Sequence, residues 1–151
     1  MIRPVLLALV LVGMSGCGVR APMTKFNNAV IMQSTADAIA LLVEFDVSNT
    51  NDEPLHLKLY EYTVFANGNT VYKGKVSAEQ TIPRWSTVTS RIPVVIRRDD
   101  LLGIETVTWR LSGSLGYVAT SAFAQTLFNT GLWKTSTPVR AHGSISISPI
   151  D

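Results

Sequence analysis

The sequence predicts an all-β protein, a sandwich of two antiparallel sheets with about seven strands and one short helix. Apolar residues recur with a period of two from Ala29 onward, as expected of strands that bury one face. Short groups of turn-forming residues separate these segments. A length of 151 residues fits one domain, and no long helical pattern interrupts the strands.

The clearest strands are six segments of alternating apolar and polar residues: Ile39–Val47, Leu55–Ala66, Thr70–Val76, Ser86–Arg97, Thr106–Tyr117 and Ala141–Ser148. Between the second and third, Asn67-Gly68 predicts a tight hairpin, because both residues tolerate positive φ. The alternation slips near Tyr60-Glu61-Tyr62, which indicates a β-bulge. Pro93 has no N–H to donate, so we expect the strand that contains it to lie at an edge or to carry a bulge.

Two segments break the β pattern. Thr120–Asn129 has Phe123, Leu127 and Phe128 at helical spacing, with Ser121 placed to cap the first turn. We therefore predict a short amphipathic helix there. Asp99-Asp100-Leu101-Leu102 predicts a single helical turn that an aspartate begins.

The composition excludes several classes of function. Charged residues make up only 16% of the chain, which excludes a disordered, highly charged protein. The 13 basic and 11 acidic residues are dispersed, and no Lys/Arg cluster exceeds the pair Arg97-Arg98, so we predict no nucleic-acid partner. A single Cys cannot form an internal disulfide and two His cannot form a His-rich metal site, so we predict no cofactor and no metal.

Residues 1–16 have the pattern of a secretory signal peptide. Arg3 precedes a short apolar run, and the small pair Ser15-Gly16 precedes the only Cys, Cys17. The run from Pro4 to Met14 would span about 16 Å as a helix, too short for a hydrocarbon core of about 30 Å. The segment resembles a bacterial lipobox, in which the Cys is acylated and the peptide before it is removed, although Met14 stands where Leu is usual. We therefore expect Cys17 to carry a lipid anchor.

The residues after Cys17 predict the cellular location of the protein and the start of its folded domain. Gly18 stands where an Asp would resemble an inner-membrane retention signal. We therefore expect the protein to be anchored on the periplasmic side of the outer membrane, or on the outer face of the plasma membrane in an organism with one membrane. Gly18–Asn28 has no hydrophobic period and contains Gly, Pro and Asn, which is typical of a tether. Residues 17–28 are thus predicted to be the lipidated Cys and its tether, and residues 29–151 the folded domain.

The order of short motifs between Phe45 and Leu102 resembles the late embryogenesis abundant (LEA) type 2 family, also called the water stress and hypersensitive response (WHy) domain. The motifs that carry the resemblance are Phe45-Asp46-Val47-Ser48-Asn49-Thr50-Asn51, Pro54-Leu55, Tyr60-Glu61-Tyr62, Asn67-Gly68, Gly74, Ile82-Pro83, Ile92-Pro93-Val94 and Asp100-Leu101. The segments 109–115 and 143–147 are similar to the bacterial lipoprotein branch of that family. Thr50 stands where the family usually has Pro between the two Asn.

The resemblance implies a fibronectin type III-like, immunoglobulin-like sandwich in a non-enzymatic protein linked to protection against desiccation or freezing. It brings no catalytic residue with it. The expected partners are the membrane, through lipidated Cys17, and partly unfolded proteins or lipid. The alternative is a carrier or assembly factor that holds a lipid or another envelope protein between its sheets or under the helix at Ser121–Phe128. A hydrolase is a distant third, since neither a nucleophile elbow nor a metal set is present.

Rows of hydroxyl side chains are the most distinctive surface pattern. Thr106, Thr108, Ser112 and Ser114 alternate on one predicted strand face, interrupted by Arg110. Shorter rows are Ser144, Ser146 and Ser148 on the last strand and Thr87 and Thr89 on another. The ordinary interpretation is that Thr suits strands and small hydroxyls suit a solvated face. The alternative hypothesis is an adhesive surface that replaces lost hydration during drying.

The remaining candidates have simpler interpretations. His56, near Asp52 and Glu53, and His142 are interpreted as strand-surface residues. The acidic residues are interpreted as solvated turns and caps instead of calcium ligands: Asp46, Asp52, Glu53, Asp99 and Asp100. Trp109 is in phase with its buried neighbours and is assigned to the core. Trp85 and Trp133 are expected to cover sheet edges, with an exposed contact near the membrane as the alternative.

Overall fold

Seven antiparallel strands form two sheets in the computed structural model, which describes residues 19–101 and 105–147. The strands are β1 (Met23–Ser34), β2 (Ala38–Asn49), β3 (Leu55–Ala66), β4 (Asn69–Ile82), β5 (Ser86–Arg97), β6 (Thr106–Ala119) and β7 (Thr135–Ser146). One sheet has the order β1-β2-β5 and the other the order β4-β3-β6-β7. The two-sheet antiparallel sandwich predicted from the alternation is confirmed.

The core lies between the inner faces of the two sheets. Alternate residues of β2 from Ile39 to Val47 are buried, as the period of two requires. Phe26 meets Phe45 of its own sheet and Trp109 of the facing sheet edge to face, each with 6.0 Å between ring centroids. Trp109 is only 3% exposed, so its assignment to the core is confirmed.

The hairpin and the bulge form where the sequence predicts irregular backbone. Asn67 and Gly68 have φ angles of 48° and 86° and join β3 to β4 in a two-residue turn. The pairing register of β3 shifts between Leu57 and Tyr60, so the bulge lies just before the predicted position. Because of it, the inward phase passes from Leu57 to Tyr60 and leaves Leu59 on the outside.

Pro93 lies on β5, at the edge of the three-stranded sheet, as its missing N–H requires. The predicted bounds of this strand, Ser86–Arg97, agree with the structure. The hydroxyl of Tyr62 donates a hydrogen bond to the Pro93 carbonyl. Since Tyr62 belongs to β3, this bond ties the two sheets together near one edge of the sandwich.

The predicted tether over Gly18–Asn28 is wrong from Met23 onward, because β1 begins there and pairs with β2. Two register shifts interrupt the pairing of β1, and its apolar residues Val30, Ile31 and Met32 are exposed at the sheet edge, so the strand shows no regular alternation. Strand β4 is longer than the predicted Thr70–Val76, and β7 begins at Thr135 instead of Ala141. Ser148 lies outside the described residues.

The helix predicted over Thr120–Asn129 is confirmed as α1 (Ala122–Asn129), with the Ser121 hydroxyl accepting the Ala124 N–H at 3.3 Å. Phe128 lies over Gly116 of β6, whereas Phe123 points into solvent instead of continuing the apolar face. A 3₁₀ turn occupies Arg98–Leu101 where a helical turn was predicted, and Leu102 lies outside the described residues. Within the described ranges, no helix has the length and apolar character needed to cross a membrane.

Candidate functional site

The outer face of the four-stranded sheet brings most of the predicted hydroxyl residues together. Thr106 and Thr108 of β6 lie opposite Ser146 and Ser144 of β7. This juxtaposition joins two rows that the sequence showed separately. We refer to this surface, the outward residues of β4, β3, β6 and β7, as the hydroxyl face.

Cations flank the hydroxyls toward the middle of this face. One transverse row crosses all four strands through Lys73, Thr63, Ser112 and Arg140. The next row holds Lys75, Glu61 and Ser114. Neighbouring strands are about 4.8 Å apart, so the first row places ammonium, hydroxyl and guanidinium groups within reach of one extended polar ligand.

The residues of the two rows, Arg140 excepted, line a shallow, open groove of about 420 Å³. Its floor is the backbone around Gly74 and Gly113. A Cβ at Gly113 would lie 2.3 Å from the Glu61 carbonyl oxygen, and one at Gly74 would lie 2.5 Å from the Tyr62 ring. Both positions therefore require glycine for the strands to pack as they do, which the sequence alone did not reveal at Gly113.

The electrostatics of the hydroxyl face are dominated by positive charge. Lys75 Nζ lies 2.6 Å from Glu61 Oε1, and both side chains are exposed. The hydrogen bond from Lys75, and then its charge, lowers the pKa of Glu61. The Arg110 guanidinium lies 4.5 Å from the centre of the Phe65 ring, a cation–π contact. With Lys73 and Arg140 also exposed, the face favours anionic or strongly hydrogen-bonding ligands.

The predicted hydroxyl row divides into structural and free members. Thr108 is structural, because its N–H and hydroxyl both donate to Asn67 Oδ1, at 3.1 and 3.0 Å, and so secure the hairpin turn. Thr106 and Ser112 are exposed, and Ser114 is half-buried. Among the described residues, the hydroxyls of these three make no hydrogen bond to another protein group. They are free to bind water or a ligand.

The third predicted hydroxyl row does not join this face. Thr87 and Thr89 lie on the outside of the other sheet, where the Thr87 hydroxyl pairs with Ser48 at 2.8 Å and the Thr89 hydroxyl donates to Asp46 at 3.0 Å. Ser144 and Ser146 do join it. The alternation places hydroxyls on a strand face correctly, but strand order decides which face they share.

The histidines and acidic residues form separate surface contacts. His56 Nδ1 pairs with the Thr81 hydroxyl at 2.6 Å, and neither Asp52 nor Glu53 is its partner. His142 lies exposed on β7. Asp52 accepts the Trp85 indole N–H at 3.0 Å, and Asp99 pairs with Arg97 at 3.1 Å. In residues 19–101 and 105–147, no three His, Cys, Asp or Glu side chains cluster as a metal site would need.

Asn49 is a connecting residue whose role the sequence revealed only in part. It ends β2 in phase with the inward Phe45 and Val47, and its buried amide donates to the carbonyls of Glu53 and Pro83, at 2.8 and 3.1 Å. A longer contact of 3.3 Å reaches the Ile82 carbonyl. The sequence signal of this role is that Asn49 occupies an inward-facing position of β2, where the other inward residues are apolar.

Asn51 extends this network to the start of the described chain. Asn49 Oδ1 accepts the backbone N–H and the side-chain amide of Asn51, at 2.9 and 2.8 Å. The Asn51 side chain also pairs with the N–H and carbonyl of Arg20, at 2.7 and 2.9 Å. The two Asn of the family motif thus hold three chain segments together at one end of the sandwich.

The tryptophans outside the core do not cover the sheet edges closely. Trp85 is in the β4–β5 loop and Trp133 in the segment that joins α1 to β7, and both are exposed. Beside α1, Trp133 lines a small apolar pocket of about 40 Å³ with Val19, Tyr117 and Ala124 among its other walls. This volume is well below the roughly 300–1,000 Å³ of typical ligand sites, so this pocket gives a lipid carrier under α1 no support.

Comparisons with known proteins agree on the fold. A family model described as late embryogenesis abundant protein matches residues 44–136. The solution structure of AT1g01470 from Arabidopsis thaliana is similar with a TM-score of 0.63 and 14% identity, over 88% of this chain and 86% of that chain. A crystal structure of a protein from Archaeoglobus fulgidus is similar with a TM-score of 0.56 and 14% identity, over 83% of this chain and all of that one, 100%. A search of curated protein sequences gives no significant match.

Proposed function

Because the chain belongs to the late embryogenesis abundant type 2 family, we propose that it is a non-enzymatic, membrane-anchored protein that protects neighbouring envelope molecules during drying or freezing. The observation that carries the proposal is the family match over a sandwich with an open hydroxyl face. The proposed ligands are the polar surfaces of partly unfolded proteins or of lipid headgroups.

The chemistry of the hydroxyl face suits weak contact with many partners. A Ser or Thr hydroxyl both donates and accepts a hydrogen bond, so it can replace a water molecule on either kind of polar group. Lys73, Lys75 and Arg140 add donors for carboxylates and phosphates. Since the groove is shallow and open, it favours weak, general contacts over one tight ligand.

The anchor is the second part of the proposal. The lipobox-like sequence that ends at Cys17 supports acylation of that residue and attachment to the periplasmic side of the outer membrane. Val19 packs against the hydrophobic core, so only Gly18 separates the acylated residue from the folded body. The protein would then act at the membrane surface, as predicted, but without the flexible tether that the sequence predicted over Gly18–Asn28.

The test of the surface uses a freeze–thaw assay of a labile enzyme with the chain from Gly18 onward, which retains every residue of the buried core. The triple variant Thr106→Ala, Ser112→Ala, Ser114→Ala removes the free hydroxyls without adding charge and leaves Thr108 in its structural role. The matched control is Thr87→Ala with Thr89→Ala on the other sheet. We expect protection to fall in the triple variant and to remain in the control. Equal protection by both folded variants would exclude the hydroxyl face as the protective surface.

The test of the anchor uses the full chain expressed in a bacterium with an outer membrane and fed an alkyne-bearing palmitate. We expect the wild-type protein to carry the label and to be found in the membrane fraction, and we expect Cys17→Ala to remove the label. A wild-type protein without label would reject the anchor while leaving the protection assay unaffected.

A further inference from the structure

Exposed aromatic side chains gather at one end of the sandwich. In the part of the chain that the structure describes, the large aromatic residues with most of their surface exposed are Trp85, Phe123 and Trp133, at 63%, 72% and 55%. Leu132, at 79%, stands beside the last of them. The loops 50–54, 83–85 and 120–134 and the first described residues all meet at this end, as the pairs Leu55–Ala119 and Tyr117–Thr135 require.

The chain enters the domain between the two exposed tryptophans. Val19 lines one shallow pocket with Trp133 and Ala124, and another with Trp85 and Asp52. It also packs against the hydrophobic core. The double hydrogen bond between Arg20 and Asn51 fixes the next residue. The position of Val19 between the tryptophans is thus held by packing and hydrogen bonds.

This position limits where a lipid on Cys17 can go. Cys17 is two residues before Val19, and two extended residues span at most about 7 Å. An acyl chain attached there would therefore enter a bilayer next to Trp85 and Trp133. This step rests on the proposed anchor.

The side chains around Val19 have the chemistry of a membrane interface. Tryptophan favours the headgroup region, because its ring is apolar and its N–H needs a polar partner. Arg20, Arg84 and Lys134 are exposed around the same end and can pair with lipid phosphates. An exposed apolar cluster with a polar rim is costly in water and usually marks a contact surface.

The opposite end of the sandwich has exposed aliphatic residues on β1, Val30, Ile31 and Met32, but no large exposed aromatic residue among those described. Its turns contain Asp37, the Asn67-Gly68 hairpin and the exposed Asp99 and Asp100, which are polar residues. The exposed aromatics therefore distinguish one end from the other and do not reflect a general surface composition.

We propose that the end formed by Val19, Trp85, Phe123, Leu132 and Trp133 docks onto the phospholipid surface, with the two tryptophans in the headgroup region. The strands then stand roughly along the membrane normal, because this surface is the end of the sandwich and not one of its faces. The hydroxyl face is left open toward the periplasm, where it can meet other molecules.

The test is quenching of tryptophan fluorescence by brominated phospholipids. The full-length protein is expressed in a bacterium, purified from its membranes with its native lipid and reconstituted into phosphatidylcholine–phosphatidylglycerol vesicles, with non-brominated vesicles as the reference. Trp133→Phe leaves Trp85 and Trp109, and Trp85→Phe leaves Trp133 and Trp109. The double variant leaves only the buried Trp109 as an internal control. Near-ultraviolet circular dichroism and the emission of Trp109 confirm that each variant is folded.

We expect roughly twofold quenching of the Trp85 and Trp133 signals and little quenching of Trp109, because only the first two would contact lipid. Vesicle-bound, acylated protein whose exposed tryptophans are quenched no more than Trp109 would overturn the proposal. Intact mass measurement separates this failure from failure of the anchor. If no acyl group is found, quenching of Trp85 and Trp133 when the same protein is added to vesicles still supports docking, and its absence refutes it.

Discussion

Replacing Asn49 with Ala tests whether the family motif holds the loops together at one end of the sandwich. The substitution removes a buried amide that donates to the Glu53 and Pro83 carbonyls, at 2.8 and 3.1 Å. It also removes the acceptor of two hydrogen bonds from Asn51, at 2.9 and 2.8 Å. The fold of each sheet does not depend on this side chain, so we expect a destabilised protein that still folds.

The magnitude follows from these four hydrogen bonds. Each contributes a net 0.5–1.5 kcal/mol, roughly, and the loop carbonyls can recover part of that by binding water. We therefore expect the free energy of unfolding to fall by about 2–4 kcal/mol. For a domain of this size, each kcal/mol corresponds to about 3–5 °C in Tm, so the midpoint should fall by on the order of 10 °C.

Urea unfolding followed by tryptophan fluorescence and by circular dichroism measures this loss. Thr87→Ala is the control, since it removes only the exposed hydrogen bond to Ser48, beside Asn49 on β2. We expect the control to lose less than about 0.5 kcal/mol. If Asn49→Ala lost no more than the control, the motif would have no clamping role and the reasoning would be refuted.

Three further predictions concern buried groups. Tyr62→Phe should lower the free energy of unfolding, measured by chemical denaturation, by about 1 kcal/mol, because the Tyr62 hydroxyl donates to the Pro93 carbonyl. Tyr60→Phe should leave it unchanged, because the buried Tyr60 hydroxyl lies beside Ser90 without hydrogen-bonding geometry. Equal losses in the two variants would contradict this reasoning. Burial raises the pKa of Tyr60, Tyr62 and Tyr117, because the folded state disfavours the charged phenolate. The protein should therefore keep its stability below the unfolded-state tyrosine pKa of about 10 and lose stability as the pH rises above it. An unchanged Tm between about pH 9 and pH 12 would count against this. Gly113→Ala should lower the free energy of unfolding by about 1–3 kcal/mol, because the new Cβ would lie 2.3 Å from the Glu61 carbonyl oxygen. Gly116→Ala should be tolerated, because the atoms nearest to its Cβ would be 3.6 Å away. Similar unfolding midpoints for the two variants would be inconsistent with this strand spacing.

The sequence predicts strands well where one face is fully buried. The bounds of β5 agree with the structure, and β2 differs by one or two residues, because inward residues alternate with more exposed ones along both strands. The start of β1 at Met23 escaped prediction for the opposite reason, since bulges at a sheet edge erase the period. The Asn67-Gly68 hairpin was predictable because its requirement for positive φ is local.

The candidate surfaces depend on pairing between distant segments. The hydroxyls of β6 and β7 share a face, whereas Thr87 and Thr89 lie on the other sheet, and only strand order determines this difference. Likewise, Trp85 and Trp133 are 48 residues apart (133 − 85) and reach the same end through separate loops. Local pattern shows which residues are exposed, but the neighbours of an exposed residue are a property of the whole fold.

The most direct measurement of the proposed function is the activity that a labile enzyme retains after drying with increasing amounts of this protein. Equal masses of an unrelated β-sandwich provide the comparison. Our account predicts that this protein preserves clearly more activity than the unrelated sandwich at each ratio. Protection equal to that of the unrelated sandwich would contradict it.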